Sequence, residues 1–179
     1  GPYSRPGGHH LRIYDHVWRH ATAAEIDVFS NPNHVPTNSG SFYQFLDLTK
    51  HAGTTAPMLN QVLNNDGKLS GALTGKGQLF IDSGKQYNVN EVYLLAHAVH
   101  ETGYGSSILS KGVPVDKDGN ALINNSGTRI HPERPIAATV YNMYGIRAVD
   151  SSPLATGAKF AFEQKWFTPE MAIQDGVRW

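Results

Sequence analysis

One apolar run that stops abruptly on glycines constrains this chain more than anything else in it. It runs from Val92 to Gly112 and reads VYLLAHAVHETGYGSSILSKG. Asn90 is placed to cap a helix, and Glu91 falls in the first turn, where the helix dipole favours a negative charge. Leu94, Leu95, Ala98 and Val99 recur at helical spacing, so the helix is expected to be largely buried. Gly103 and Gly105 end it, because glycine takes the positive φ of a helix C-terminus without steric cost. Glu101 then sits in the last turn. Desolvation and the negative end of the dipole would both favour its protonated form, and a proton held near neutral pH suits a general acid. The residue pattern also fits a solvated helix-end carboxylate in a salt bridge, and by itself it leaves both readings open.

Upstream, the pattern is helical from Ser41. Phe42, Phe45, Leu46 and Leu48 form an apolar cluster. Thr54 or Thr55 is placed to cap a helix with Pro57 in its first turn and Met58, Leu59, Val62 and Leu63 as its buried face. Asn64 to Gly67 would close that helix. Leu79, Phe80 and Ile81 fall in another, ending near Tyr87. Downstream, Ser106 to Lys111 allows one turn of helix with Ile108 and Leu109 inward. Val113 to Val115, the turn Asp116 to Asn120, and Ala121 to Ile123 read as a β-hairpin with an Asp-Gly turn, and Ala137 to Tyr141 as a further strand. Ser152 and Pro153 start a helix with Leu154, Ala158, Ala161 and Phe162 inward, and Asp150 is expected to help start it. Thr168-Pro169-Glu170 starts the last helix.

The first forty residues are less patterned. A Gly/Pro-rich opening is followed by partial alternation over Leu11 to Val17, helical character over Ala21 to Phe29, and loop chemistry over Asn31 to Gly40. Ile13, Tyr14, Trp18 and Ile26 predict a segment that packs on the domain. The expected division is an N-terminal extension, 1–40, and a catalytic domain, 41–179.

LLAHAVHETGYGSSILSKG resembles the catalytic helix and following turn of the family 73 glycoside hydrolases, the N-acetylglucosaminidases that cut bacterial peptidoglycan. The likeness is to the glucosaminidase domains of Gram-positive autolysins in particular. Three further stretches match in the same order: FYQFLDLTKHAGTTAPMLNQVL with GKGQLFIDSGKQYNVNEVYL, then NMYGI (Asn142 to Ile146), then Asp150 to Trp166, which ends in PLATGAKFAFEQKW. NMYGI answers an Asn-aromatic-aromatic-Gly-Ile motif, with Met143 departing at the first aromatic place. The likeness covers roughly Ser41 to Trp179. It implies an α+β, mostly α, lysozyme-like helical domain with a small β-hairpin lobe flanking the cleft, secreted or associated with the cell wall. The resembled domains run on past the position of Trp179 and carry a catalytic Tyr there, so the resemblance implies a domain truncated at its C-terminus.

The implied activity is an endo-β-N-acetylglucosaminidase that hydrolyses the β-1,4 bond between N-acetylglucosamine and N-acetylmuramic acid. A muramidase or lytic transglycosylase of the same superfamily, or a wall-binding module without turnover, are the alternatives. Glycoside hydrolysis usually pairs a protonated carboxyl group with a second carboxylate. Glu101 matches the family's catalytic glutamate. Of Asp116, Asp118 and Glu133 in the β-lobe, Glu133 is the candidate second acid, against a salt bridge with Arg134 or Arg129. Asp116 and Asp118 read first as turn formers. A second carboxylate is not required if the substrate's own N-acetyl group attacks the anomeric carbon. By resemblance, Asn142 and Tyr144 line the cleft as an amide and an aromatic wall, with packing in the core as the alternative. Tyr104 and Tyr141 are further substrate-binding candidates. His97 shares the helix face of Glu101, could hydrogen-bond it, and is a further substrate-binding candidate, with packing as the alternative.

Composition narrows the remaining classes. The 179 residues suit one domain with an adequate core. A net charge of zero excludes a general nucleic-acid binder. The absence of cysteine excludes disulfides and thiolate metal sites. No metal and no cofactor is implied: His97, His100 and Glu101 read H-x-x-H-E, not the H-E-x-x-H of zinc hydrolases, and the N-terminal histidines, His16 and His20 included, show no convincing ligand spacing. No apolar run approaches the ~18 residues of a membrane span. No signal peptide is apparent, and the opening Gly1-Pro2 reads as the remnant of a protease cut. The expected partner is the peptidoglycan glycan strand, with no nucleic acid, no membrane insertion and no oligomeric state implied.

Overall fold

Residues 10–13, 17–64 and 71–179 are described by the structure, a computed structural model, and they divide into two units, 1–47 and 48–179. The division falls a few residues after the expected one. In the first unit, strands β1 (His10–Ile13) and β2 (Val17–His20) pair antiparallel, with Ile13 opposite Val17. Helix α1 (Ala23–Ser30) opens on a capping box in which Thr22 and Glu25 satisfy each other's backbone N–H groups. Arg19 closes on the Glu25 carboxylate from β2. The stretch expected to be helical from Ser41 is a 3-10 helix, Gly40–Phe45, with the Phe42 and Phe45 rings 6.1 Å apart. Tyr14, His9, His16 and the turn after Asn64 lie outside the described residues, as do the side chains of Ile13 and Trp18.

In the second unit the helices α2 (Ala56–Asn64), α3 (Gly77–Tyr87), α4 (Glu91–Glu101) and α7 (Pro169–Gly176) form the larger lobe. Helix α3 is the hub and packs against α2, α4 and α7. Its Phe80 and Ile81 meet Leu59, Leu63, Leu94, Leu95 and Ile173 in one buried cluster. Helix α2 buries Leu59 and Leu63 only. Met58 and Val62 are exposed, because a helix with one strong neighbour covers one stripe and those two lie beside it.

Asn90 caps α4 as expected, its side chain accepting from the N–H groups of Val92 and Tyr93. Glu91, 2% exposed, does more than complement the dipole. Its carboxylate accepts from the backbone N–H groups of Ala52 and Thr54 and from the Thr54 hydroxyl, at 3.2, 3.0 and 2.8 Å. Burial would raise its pKa, but these bonds, with its own backbone N–H, outweigh it and hold the group at about 2.

The smaller lobe begins with the one-turn helix α5 (Ile108–Lys111) and strand β3 (Val113–Val115), which pairs antiparallel with β4 (Ala138–Val140). Val113 faces Val140, and both are buried. The expected second strand of the hairpin, Ala121 to Ile123, is reduced to a Val115–Ala121 bridge and a Leu122 N–H to Pro114 carbonyl bond, because Pro114 has no N–H to return and the Leu122 carbonyl accepts from Ile130 instead. Helix α6 (Pro153–Glu163) packs on β3, β4 and α5, burying Leu154, Ala158 and Ala161. Ser152 stands at its N-cap without a side-chain bond, so Pro153 at the first position is the operative start signal. Trp166 lies fully buried between α6 and α7, its indole N–H donating to Asp175 Oδ2 at 2.7 Å.

Candidate active site

Glu101 is the last residue of α4, and the chain after it turns in an uncommon way. Gly103, Tyr104 and Gly105 all have positive φ, at 54°, 61° and 77°. The two glycines are legible as helix breakers; the left-handed tyrosine between them is not. Buried Thr102 holds the turn: its hydroxyl donates to the Ala98 carbonyl at 2.6 Å and accepts from Gly105 N–H at 2.8 Å. This pins the end of α4, where Glu101 lines a cleft of about 420 Å³. That volume falls within the range of small-molecule sites.

The cleft lining is part apolar and part polar. Ile108 and Leu109 from α5, with Ala148, Pro153 and Leu154, are apolar; Glu101, Ser107, Asn125 and Asn142 are polar, and Gly145 completes the lining. The inward pair Ile108 and Leu109 follows from the sequence pattern. Ser107, Asn125, Ala148 and Leu154 do not, since small polar and aliphatic residues at loop and helix starts carry no chemical signature. Gly145 is within reach as part of NMYGI, but only the fold shows why it is there. A Cβ at Gly145, whose φ is +62°, would sit 3.2 Å from Glu101 Oε2.

The Glu101 side chain is 38% exposed, so the desolvation expected from a buried helix is only partly present at its end. His97, one turn earlier, places Nε2 3.7 Å from Glu101 Oε1. Its ring lies 5.6 Å from those of Tyr93 and of Tyr144.

Other expected site residues stand elsewhere. Asn142 borders the cleft, but its amide is already engaged: Nδ2 donates to the carbonyls of Ile146 and Gly157, and Oδ1 accepts from Ile146 N–H. It closes the NMYGI loop on itself and on α6, with both amide hydrogens engaged. Tyr144, 8% exposed, is packed against His97 and α7, as the packing alternative has it, and is not among the residues lining this cleft. Burial pushes its phenol up. Tyr141 is half-buried over Gly112, and Tyr104 is exposed on the strained turn; neither is part of the cleft lining.

Glu133 also lies apart from the cleft lining. Its side chain is 66% exposed and pairs with His131 Nδ1 at 3.3 Å and Arg134 Nε at 3.8 Å. Its own backbone N–H, then His131 and Arg134, lower its pKa despite some burial. Of the two arginines expected as salt-bridge partners, Arg134 is the one it meets. Asp116 is the turn former expected: its carboxylate accepts from the N–H groups of Asp118 and Asn120 and from the Asn120 amide. The Asn120 bonds above all hold it at about 2. Among the described residues no group of three or more His, Cys, Asp or Glu side chains is placed to hold a metal ion.

Comparison with known proteins agrees with this geometry. The glucosaminidase family, described as mannosyl-glycoprotein endo-beta-N-acetylglucosaminidase, matches residues 77–179. A beta-N-acetylglucosaminidase of Bacillus subtilis is 40% identical over 161 residues, 90% of this chain and 16% of that protein. The crystal structure of S. aureus glucosaminidase B superposes with a TM-score of 0.70 at 31% identity, covering 95% of this chain and 59% of that one. A catalytic mutant of S. aureus autolysin E in complex with the disaccharide NAG-NAM superposes with a TM-score of 0.53 at 25% identity, covering 98% and 65%. The chain thus spans a small part of the Bacillus protein and under two thirds of these solved chains. Helix α4, the glycine turn and the NMYGI loop all lie inside the matched stretch, and the chain belongs to the glucosaminidase family of glycoside hydrolases.

Proposed function

We propose that this chain is the glucosaminidase domain of a peptidoglycan hydrolase, that it cleaves the β-1,4 bond between N-acetylglucosamine and N-acetylmuramic acid, and that Glu101 is its general acid. The supporting observation is the position of Glu101, at the end of a pinned helix, with Oε2 against Gly145 and the residue lining the cleft. The disaccharide held by the autolysin E mutant contains the sugars that flank this bond. Such an enzyme works outside the cytoplasm, at the wall.

Glu101 is the one carboxylate among the described residues lining this cleft, which favours assistance by the substrate. In that route Glu101 gives its proton to the glycosidic oxygen as the C1–O bond breaks. The carbonyl oxygen of the N-acetyl group forms a bond to C1 in its place. Water then opens that ring and returns a proton to Glu101.

Glu101→Gln tests the assignment. The amide is nearly isosteric and cannot donate the proton, so cell-wall lysis should fall by at least about a thousandfold with the melting temperature unchanged. Lysis at the wild-type rate would end the proposal. Mass analysis of the released ends separates the glucosaminidase from a muramidase: reducing N-acetylglucosamine is expected, and reducing N-acetylmuramic acid would assign the other activity.

A further inference from the structure

The two oxygens of Glu101 have different neighbours. Oε2 lies against the backbone of Gly145, where no side chain intervenes, while Oε1 faces His97 Nε2 at 3.7 Å. The imidazole is not free to wander. Tyr144 meets it edge-on, with ring centroids 5.6 Å apart and planes at 62°, and Tyr93 lies one turn back at 5.6 Å and 51°. Tyr144 is itself wedged against α7, so close that a Cβ on Gly176 would come within 2.7 Å of its Cδ2. A chain of packed rings thus runs from α7 through the NMYGI loop to α4 and ends at the carboxyl group.

A gap of 3.7 Å is too long for a hydrogen bond. Catalytic hydrogen bonds commonly tighten when substrate is engaged, however, and a modest rotation of the Glu101 side chain closes this one. We infer that His97 is a positioning residue, which holds Oε1 so that Oε2, beside Gly145, is the oxygen that carries the proton to the leaving group. The inference rests on the general-acid role proposed for Glu101. It assigns His97 to the acid and not to the sugar, in place of the substrate contact expected from sequence.

The experiment compares His97→Ala, His97→Gln and His97→Leu with Glu101→Gln, measuring kcat and KM on soluble peptidoglycan fragments and the melting temperature of each. Misplacing a catalytic group by about 1 Å costs up to about a hundredfold in rate, so His97→Ala is expected to lower kcat by roughly ten- to a hundredfold. KM should change less than about twofold, since ground-state binding is untouched. His97→Gln, whose amide reaches the same oxygen, should regain most of the lost kcat, whereas His97→Leu, which restores bulk alone, should not. If His97→Ala fails to fold, the Gln and Leu variants decide by themselves. Equal kcat for Leu and Gln, or an effect confined to KM, would overturn the positioning role. With Glu101→Gln inactive, either result removes this inference alone; turnover in Glu101→Gln removes the general-acid reading and the inference together.

Discussion

Gly145 and Glu101 meet closely in the cleft. A methyl group at 145 would meet a backbone with φ of +62° and a carboxylate oxygen 3.2 Å away. Gly75 offers a matched control, with φ of +72° and open space where its Cβ would be. Both alanine variants should lose about 1–2 kcal/mol to left-handed strain. Only Gly145→Ala should also lose turnover, by about tenfold or more, because it alone displaces the acid. Thermal melts paired with lysis rates would show this, and equal activities would detach Gly145 from catalysis. Glu101 was singled out in the sequence because the E-T-G-x-G turn that it opens, weak by itself, stands in order with three other matching blocks. The purposes of Asn142 and Tyr144 were not. An amide that closes its own loop and an amide that grips a sugar are the same letter. So are a buried tyrosine and a stacking one, and only packing tells them apart.

At the scale of elements, α4 is held at its start by a buried carboxylate. Glu91 has a folded pKa of about 2 against an ordinary value near 4.5. A depressed carboxylate pKa means that the folded state binds its proton less readily than the unfolded chain. Its contribution is therefore complete above about pH 4.5 and lost as pH falls towards 2. Denaturant titrations across that window should show stability declining in the wild type and a flatter profile in Glu91→Gln; identical profiles would remove Glu91 as the anchor. Asn142→Asp makes a second case. It replaces an amide donor with a carboxylate that faces the carbonyls of Ile146 and Gly157. The loss should exceed the about 1–3 kcal/mol of an ordinary unsatisfied group, and also exceed that of Asn142→Ala, measured by equilibrium unfolding. Helix starts were legible because Asn90, Pro153 and Thr168 act within a few residues of themselves. The exposed Met58–Val62 stripe and the reduced hairpin strand at Ala121–Ile123 were not, since each depends on which distant neighbour arrives first.

For the whole molecule, charge is the property most directly read from sequence. The net charge is zero with nine histidines neutral. The sequence pI is about 7.3, so acidification makes the net charge positive. Adsorption to anionic wall sacculi should therefore be stronger at about pH 5.5 than at about pH 7.5, and the difference should vanish near ~1 M salt, where charges are screened within about 3 Å. A pull-down at both pH values checks this, and a pH difference that survives the salt would assign it to something other than net charge. The two-lobed plan of residues 48–179 was legible because four blocks match in order. The limits of the first unit were not, since nothing local marks the bond between Asp47 and Leu48.

Helix α4 carries one carboxylate at each end, and only the far one belongs to the cleft. At about 1.5 Å rise per residue, the ten steps from Glu91 to Glu101 make a rod of about 15 Å. Simple leverage then makes a tilt of about 4° at the moored end a displacement of about 1 Å at the working end, a misplacement that can cost up to about a hundredfold in rate. Remoteness gives Glu91 no immunity: acidification or mutation there would be felt first as misaim, before any unfolding.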